Sequence, residues 1–215
     1  SDILQIAVAG KLEGKGGFVN PTPDKLAFQH KGLGWNGKFV LDHKTQTADY
    51  NFDGALALQD FKMATPEMTL AEENLSWDGK VWIAVPDSPE ALNLNAAGKL
   101  AGKGASLDSP SANFKLQGTG LNWKGEFAYT AKKEAADVKL DGDLKFAKLE
   151  FATADALMAE EELKWNGGLE LVLPENAAAR RLTTNGSLAS RRQTITLLRK
   201  KLNLVNEKLS WKGRF

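Results

Sequence analysis

The residues able to do acid-base, nucleophilic or metal chemistry are few in this 215-residue chain, and their spacing is poor. Cysteine is absent, which excludes disulfides, thiol nucleophiles and cysteine-held metals. His30 and His43 are the two histidines, and neither has a second His or Cys at ligand spacing, so no metal site is expected. Glu72-Glu73 and Glu160-Glu161-Glu162 recur at matched positions, where a solvated turn explains them better than a paired general acid and base. Gly10-Lys-Leu-Glu-Gly-Lys-Gly16 has the composition of a phosphate-cradling loop. It lacks the order of one, and its near-copy from Gly98 to Gly104 marks it as a strand end. Seven basic residues and no acid lie between Arg180 and Lys201. They read either as a solvated face or as a contact for anionic headgroups or an acidic partner, centred on Arg180, Arg181, Arg191 and Arg192. Nothing in this inventory makes an enzyme, and no cofactor is expected.

Composition narrows the remaining classes. A formal net charge of +1 implies neither nucleic acid nor an acidic substrate as partner. No apolar run approaches the eighteen or so residues of a membrane span. The chain begins at Ser1 without Met and stops at Arg214-Phe215, inside what the other copies of its repeat show to be a strand, so a piece of a longer repetitive protein is expected.

What positions the side chains is a repeat. Trp35, Trp77, Trp123, Trp165 and Trp211 each occupy the same place in a Leu-x-Trp-x-Gly motif, and five of the six tryptophans are thereby structural before they are chemical. A second marker fixes the period: Gly10, Gly54, Gly98, Gly142 and Gly186 follow one another at 44 residues. Five units result, approximately 1–44, 45–88, 89–132, 133–176 and 177–215, within one repetitive β domain spanning 1–215. Around each marker glycine apolar residues alternate, as in Tyr50, Phe52, Gly54, Leu56 and Leu58, with polar residues between them. That is the period of a strand with one buried face.

The Trp motif contains Asn-Gly and Asp-Gly, which are hairpin signals, but parity argues for one strand running through the glycine. A two-residue turn at Asp78-Gly79 would send Val81, Ile83 and Val85 to the face opposite Leu75 and Trp77; a continuous strand keeps all of them together. The glycine then permits a bend, a bulge or a close approach.

Between these two strands the alternation slips. Leu70 precedes Leu75 by five residues, and Met158 precedes Leu163 by five. Such an odd step predicts a turn at 71–74 and at 159–162; a short helix over 155–163, and another over 194–209, is the competing reading on propensity. Each unit would hold about three strands, some fifteen in all. Equivalent strands of consecutive units would then be antiparallel and the full period 88 residues. The spacing from marker Gly to Trp, which runs 25, 23, 25, 23, 25, agrees with such a doubled period.

Fifteen strands at about 4.8 Å each give a sheet on the order of 70 Å wide, with one face polar and the other carrying Trp, Leu, Phe, Val and Met from every strand. So large an apolar face must be covered. An all-β, mainly antiparallel, long curved sheet is therefore expected, folded at its mid-strand glycines either into a U-shaped groove or into a flattened sandwich.

These Trp-Gly strands, glycine-centred partner strands and acidic turns resemble the repetitive β domains of the AsmA-like superfamily of the Gram-negative envelope. The resemblance covers all five units, and its motifs encode a curved sheet, not a catalytic signature. It implies a periplasmic β-groove, anchored to the inner membrane through regions outside this sequence, that binds or transfers phospholipid. On that reading the groove is lined by Trp35, Phe39, Trp77, Val81, Ile83, Trp123, Phe127, Trp165, Leu169 and Trp211, and lipid acyl chains are the partner. The alternative is a structural or protein-binding sandwich in which the same tryptophans form a closed core.

Overall fold

A computed structural model describes residues 4–19, 27–44, 47–86 and 91–214. They form one antiparallel sheet of ten strands in sequence order: β1 (Leu4–Val19), β2 (Ala27–Lys44), β3 (Thr47–Ala64), β4 (Thr69–Pro86), β5 (Asn93–Ser109), β6 (Phe114–Lys132), β7 (Ala135–Thr153), β8 (Ala156–Pro174), β9 (Arg181–Leu197) and β10 (Leu202–Arg214). The sheet is open: β1 and β10 are its two edges. Most strands run 17 to 19 residues, about three times the usual length. The continuous strand through the Trp motif is observed in all five units, as in β4, where Leu75, Trp77, Gly79, Val81 and Ile83 share a face.

The strand count differs from the fifteen expected, because the odd step in the apolar pattern is not a turn. In β3 the more buried positions are 56 and 58, then 61 and 63; in β8 they are 158 and 160, then 163 and 165. Alternation slips by one residue inside a continuous strand. At this level one residue per strand pair has a left-handed backbone: Gly16, Asp60, Gly120, Glu162 and Lys208, with φ between 46° and 66°. The ladder skips that row and resumes in unchanged register, as between Glu72↔Ala105 and Leu75↔Gly102. Both partners slip together, so a face that turns over on one strand turns over on all.

Two strands per unit follow, not three, and equivalent strands of consecutive units are parallel rather than antiparallel. The alternating Gly-to-Trp distance has another origin. In the β5–β6 hairpin the last pair is Ser109↔Phe114, each one residue further from the glycine row than the last pair of β3–β4, Ala64↔Thr69. Units two and four instead share a tight turn. Thr65 Oγ1 accepts hydrogen bonds from the N–H groups of Glu67 and Met68 at 3.3 and 3.1 Å, and Thr153 Oγ1 does the same for Asp155 and Ala156. The helix readings fall too: 156–163 lies in β8, and 194–209 forms the end of β9, a turn at 198–201 and the start of β10. Cross-strand pairing overrides helix propensity there, since Met158 is held between Phe151 and Ile195 in the ladder.

The glycines form a single line across the sheet. Gly10 pairs with Gly37, Gly37 with Gly54, and the series continues through Gly79, Gly98, Gly125, Gly142, Gly167 and Gly186 to Gly213. The backbones close in on one another along this seam. A Cβ at Gly142, where φ is 138°, would lie 2.2 Å from the carbonyl oxygen of Lys124 and 2.7 Å from Gly125 Cα. No other residue type fits such an approach. The seam is a line of close backbone approach across the sheet.

The molecule is not packed shut. Its accessible surface is 13991 Å², against about 9,700 Å² for a compact globule of 23.4 kDa. Among the described residues no large side chain is fully enclosed, and the most buried apolar groups are Leu58, Ala84, Trp123 and Leu163. Of the two expected architectures, an open folded sheet accounts for this surface and a closed sandwich does not.

Candidate apolar groove

Register turns the sequence repeat into rows. Immediately to one side of the glycine seam runs a ladder in which Leu and Trp alternate strand by strand: Leu12, Trp35, Leu56, Trp77, Leu100, Trp123, Leu144, Trp165, Leu188, Trp211. On the other side run Val8, Phe39, Phe52, Val81, Ala96, Phe127, Leu140 and Leu169. In the first row large and smaller side chains thus alternate, and each tryptophan is paired with leucine rather than with another tryptophan on the adjacent strand. Ten strands make these rows about 43 Å long.

All ten residues expected to line a groove lie on this one face. Four of them, Trp35, Phe39, Trp77 and Val81, meet in a cavity of about 730 Å³ between β1 and β4, completed by Val8, Leu12, Leu33, Tyr50, Phe52 and Leu56. Its walls come from both sides of the seam, Trp35 and Leu56 from one and Phe39 and Phe52 from the other, with Gly54 and Gly79 as its floor. No charged residue lines it. Phe39 packs against Phe52 with ring centroids 4.9 Å apart. Ile83 is one row further out on the same face, paired with Tyr50 and Leu94. Trp123, Phe127, Trp165, Leu169 and Trp211 continue the rows along β6, β8 and β10, outside this cavity.

Coverage of the face varies along its length. At the two edges it is open: Val8 and Leu12 on β1 are 52% and 57% exposed, and Trp211 on β10 is 37% exposed. In the middle it closes. Trp123 is 5% exposed, and its ring stacks on that of Trp77 across the intervening Leu100, with centroids 6.1 Å apart and planes at 24°. The sixth tryptophan, Trp82, alternates with Val81 and Ile83 and lines a second cavity of about 610 Å³, a polar one with Lys80, Glu126 and Asp141, which Phe127 and Leu169 also border.

The acidic segments are not solvated turns. Glu72 and Glu160 are 5% and 4% exposed, on the apolar side of the sheet. Glu72 Oε1 accepts a hydrogen bond from the Gly104 N–H at 2.7 Å, filling the gap where the β4–β5 ladder skips. Glu160 Oε1 accepts one from Gln193 Nε2, and Gln193 Oε1 in turn accepts one from Asn206 Nδ2 at 2.9 Å. The second carboxylate oxygen of each glutamate is buried with no hydrogen-bond partner. Their place was readable from parity alone, since Glu72 is two residues from Leu70 and Glu160 two from Met158 within one strand. The assumption of a turn concealed it. Glu73 and Glu162 do face solvent.

The basic run is dispersed. Arg180 and Arg181 stand at the start of β9, and Arg191 and Arg192 lie ten residues along, about 33 Å away. Arg191 is already paired with Glu161 and Glu162 at 2.5 and 2.9 Å, and Arg199 with Asp155 at 2.5 Å. The structure therefore does not bring the four arginines together. His30 lies edge-on to Phe28 over Gly17, while His43 is exposed near the far end of β2. Among the described residues no group of three or more His, Asp or Glu side chains is arranged to hold a metal ion. The glycine-rich segment from Gly10 to Gly16 is strand interior in β1 rather than the strand end expected, because pairing with β2 runs unbroken from Gly10 to Lys15.

No helix among the described residues is long and apolar enough to cross a membrane. Comparison of the chain with known proteins returns no matching family model, no matching curated protein and no matching solved structure.

Proposed function

We propose that this chain is a non-enzymatic segment of an envelope protein whose apolar groove holds the acyl chains of phospholipids. The observation that carries the reading is the uncharged cavity of about 730 Å³ walled from both sides of the glycine seam in β1–β4, continuous with a Leu-Trp row that crosses every strand. Its volume is that of a small-molecule pocket. Its lining offers almost nothing to orient a polar ligand, and Tyr50 carries the single side-chain hydroxyl in it. A slender, flexible hydrocarbon suits a surface that is long, narrow and without hydrogen-bonding features. The resemblance of the Trp-Gly repeat to AsmA-like β-grooves points the same way and supplies the periplasmic location, inner-membrane anchorage and inter-membrane transfer that complete the proposal.

Photo-crosslinking tests it directly. Photoreactive side chains introduced at Ile83 or Phe127, both on the apolar face, are expected to capture phospholipid in cells. A probe at Ser76, exposed on the polar face of β4, serves as the negative control. Capture from neither apolar position sinks the proposal. The competing reading, a scaffold whose tryptophans form a closed protein-binding core, draws on the burial of Trp123 and Leu163 in the central strands. It predicts crosslinks to protein or to nothing.

A further inference from the structure

We propose that Trp77 and Trp123 form a movable partition that confines the groove to a single acyl chain in the β1–β4 cavity until the pair parts. The inference rests on the acyl-chain reading above and adds its regulation. Three observations carry it. Trp77 belongs to two places at once, as a wall of the 730 Å³ cavity and as the stacking partner of Trp123. Trp123 is 5% exposed, while Trp165, two strands on, is only partly covered and Trp211 on the edge strand is 37% exposed, so the row is most covered where the two rings stack. Finally, Trp123 Nε1–H is buried with no hydrogen-bond acceptor.

That last feature makes the closed arrangement a compromise. Ring stacking and apolar contact hold it together, while an unsatisfied buried donor works against it. The two rings stand on strands separated by β5 and bridge over Leu100, so rotation of either side chain breaks the stack without breaking any ladder hydrogen bond. An acyl chain threaded past Leu100 would replace the ring contacts and let the indole N–H turn toward solvent. A chain arriving at the β1 edge therefore stops at Trp77, and passage toward β10 requires the pair to open.

The test uses the row itself for its substitutions. Leucine occupies this position on every odd strand, so Trp77→Leu and Trp123→Leu place a native row residue in the partition, and Trp165→Leu makes the same change outside it. Binding of dibromostearate to the 215-residue protein is followed by quenching of tryptophan fluorescence, with stoichiometry at saturation from native mass spectrometry. One chain per protein is expected for the wild type and for Trp165→Leu, and two or more for Trp77→Leu and Trp123→Leu. Should Trp123→Leu lose its strand signal in circular dichroism, Trp77→Leu, a change at a half-buried side chain, carries the test alone. A stoichiometry of one in the partition variants overturns the partition and leaves the groove standing. So does an equal rise in Trp165→Leu, or several chains in the wild type. No binding to the wild type at all overturns the acyl-chain reading and the partition with it.

Discussion

Replacing Gly142 with alanine tests the glycine seam at one of its close backbone approaches. Gly142 sits on β7 between β6 and β8 with φ 138°, and an added Cβ would meet Lys124 O at 2.2 Å and Gly125 Cα at 2.7 Å. Both obstacles are backbone, so no side-chain rotation relieves them. Holding a non-glycine residue in such a conformation costs about 1–3 kcal/mol, and forcing apart packed backbone adds about 1–3 kcal/mol. The sum, roughly 2–6 kcal/mol, is a large part of the 5–15 kcal/mol that stabilises a typical domain. Gly10 is the internal control. It lies in the same row on the edge strand β1, its φ is not positive, and a Cβ there would meet nothing within 4 Å. Gly10→Ala should be neutral or stabilising by about 0.4–1 kcal/mol through the unfolded chain. Urea unfolding followed by tryptophan fluorescence gives the midpoints, and hydrogen exchange localises the damage. In Gly142→Ala the amides of β6, β7 and β8 should lose protection before those of β2 and β3, because neighbouring strands in a repetitive sheet support one another locally. Equal, small effects of the two substitutions would refute the idea that close backbone approach at the seam sets the fold.

Two further outcomes follow from the site. Val81→Asp places a charge in the uncharged wall of the β1–β4 cavity and should abolish stearate binding at neutral pH, while Trp82→Asp, one residue along on the polar face, should leave it unchanged; both are read by the same quenching titration. Glu72→Ala strands the Gly104 N–H and should destabilise by about 1–3 kcal/mol, whereas Glu72→Gln keeps an acceptor and should retain most of that. Thermal unfolding of the two variants separates a hydrogen-bonding role from a charge-dependent one.

Much of the architecture was legible because strand periodicity is a local property. The alternation around Gly54 and the parity of Leu75, Trp77, Val81 and Ile83 report directly which residues share a face. The 44-residue recurrence of glycine predicts that those glycines align. The ten residues assigned to a groove do lie on one face, for that reason. What misled was the slip between Leu70 and Leu75. Along one strand, an odd step looks the same whether the chain turns back or merely turns over. Only the neighbouring strands decide: here Asp60 or Glu162 adopts a left-handed conformation, its partners skip the same row, and the register resumes unchanged. With the turn gone, fifteen strands became ten and two glutamates moved from solvent to the apolar side.

The sequence by itself thus determined the β class, the faces of the strand segments around each glycine and the recurrence of those glycines, since each depends on a residue and its near neighbours in the chain. The tertiary structure decided the strand count, the burial of Glu72 and Glu160, and the stacking of Trp77 on Trp123 across an intervening strand. It also decided that the apolar face is open at its edges and shut in its middle. Those outcomes depend on which strands pair and in what register, a relation between residues such as Glu72 and Gly104 or Trp77 and Trp123 that are distant in the chain, and one strand's periodicity does not choose among the possible pairings.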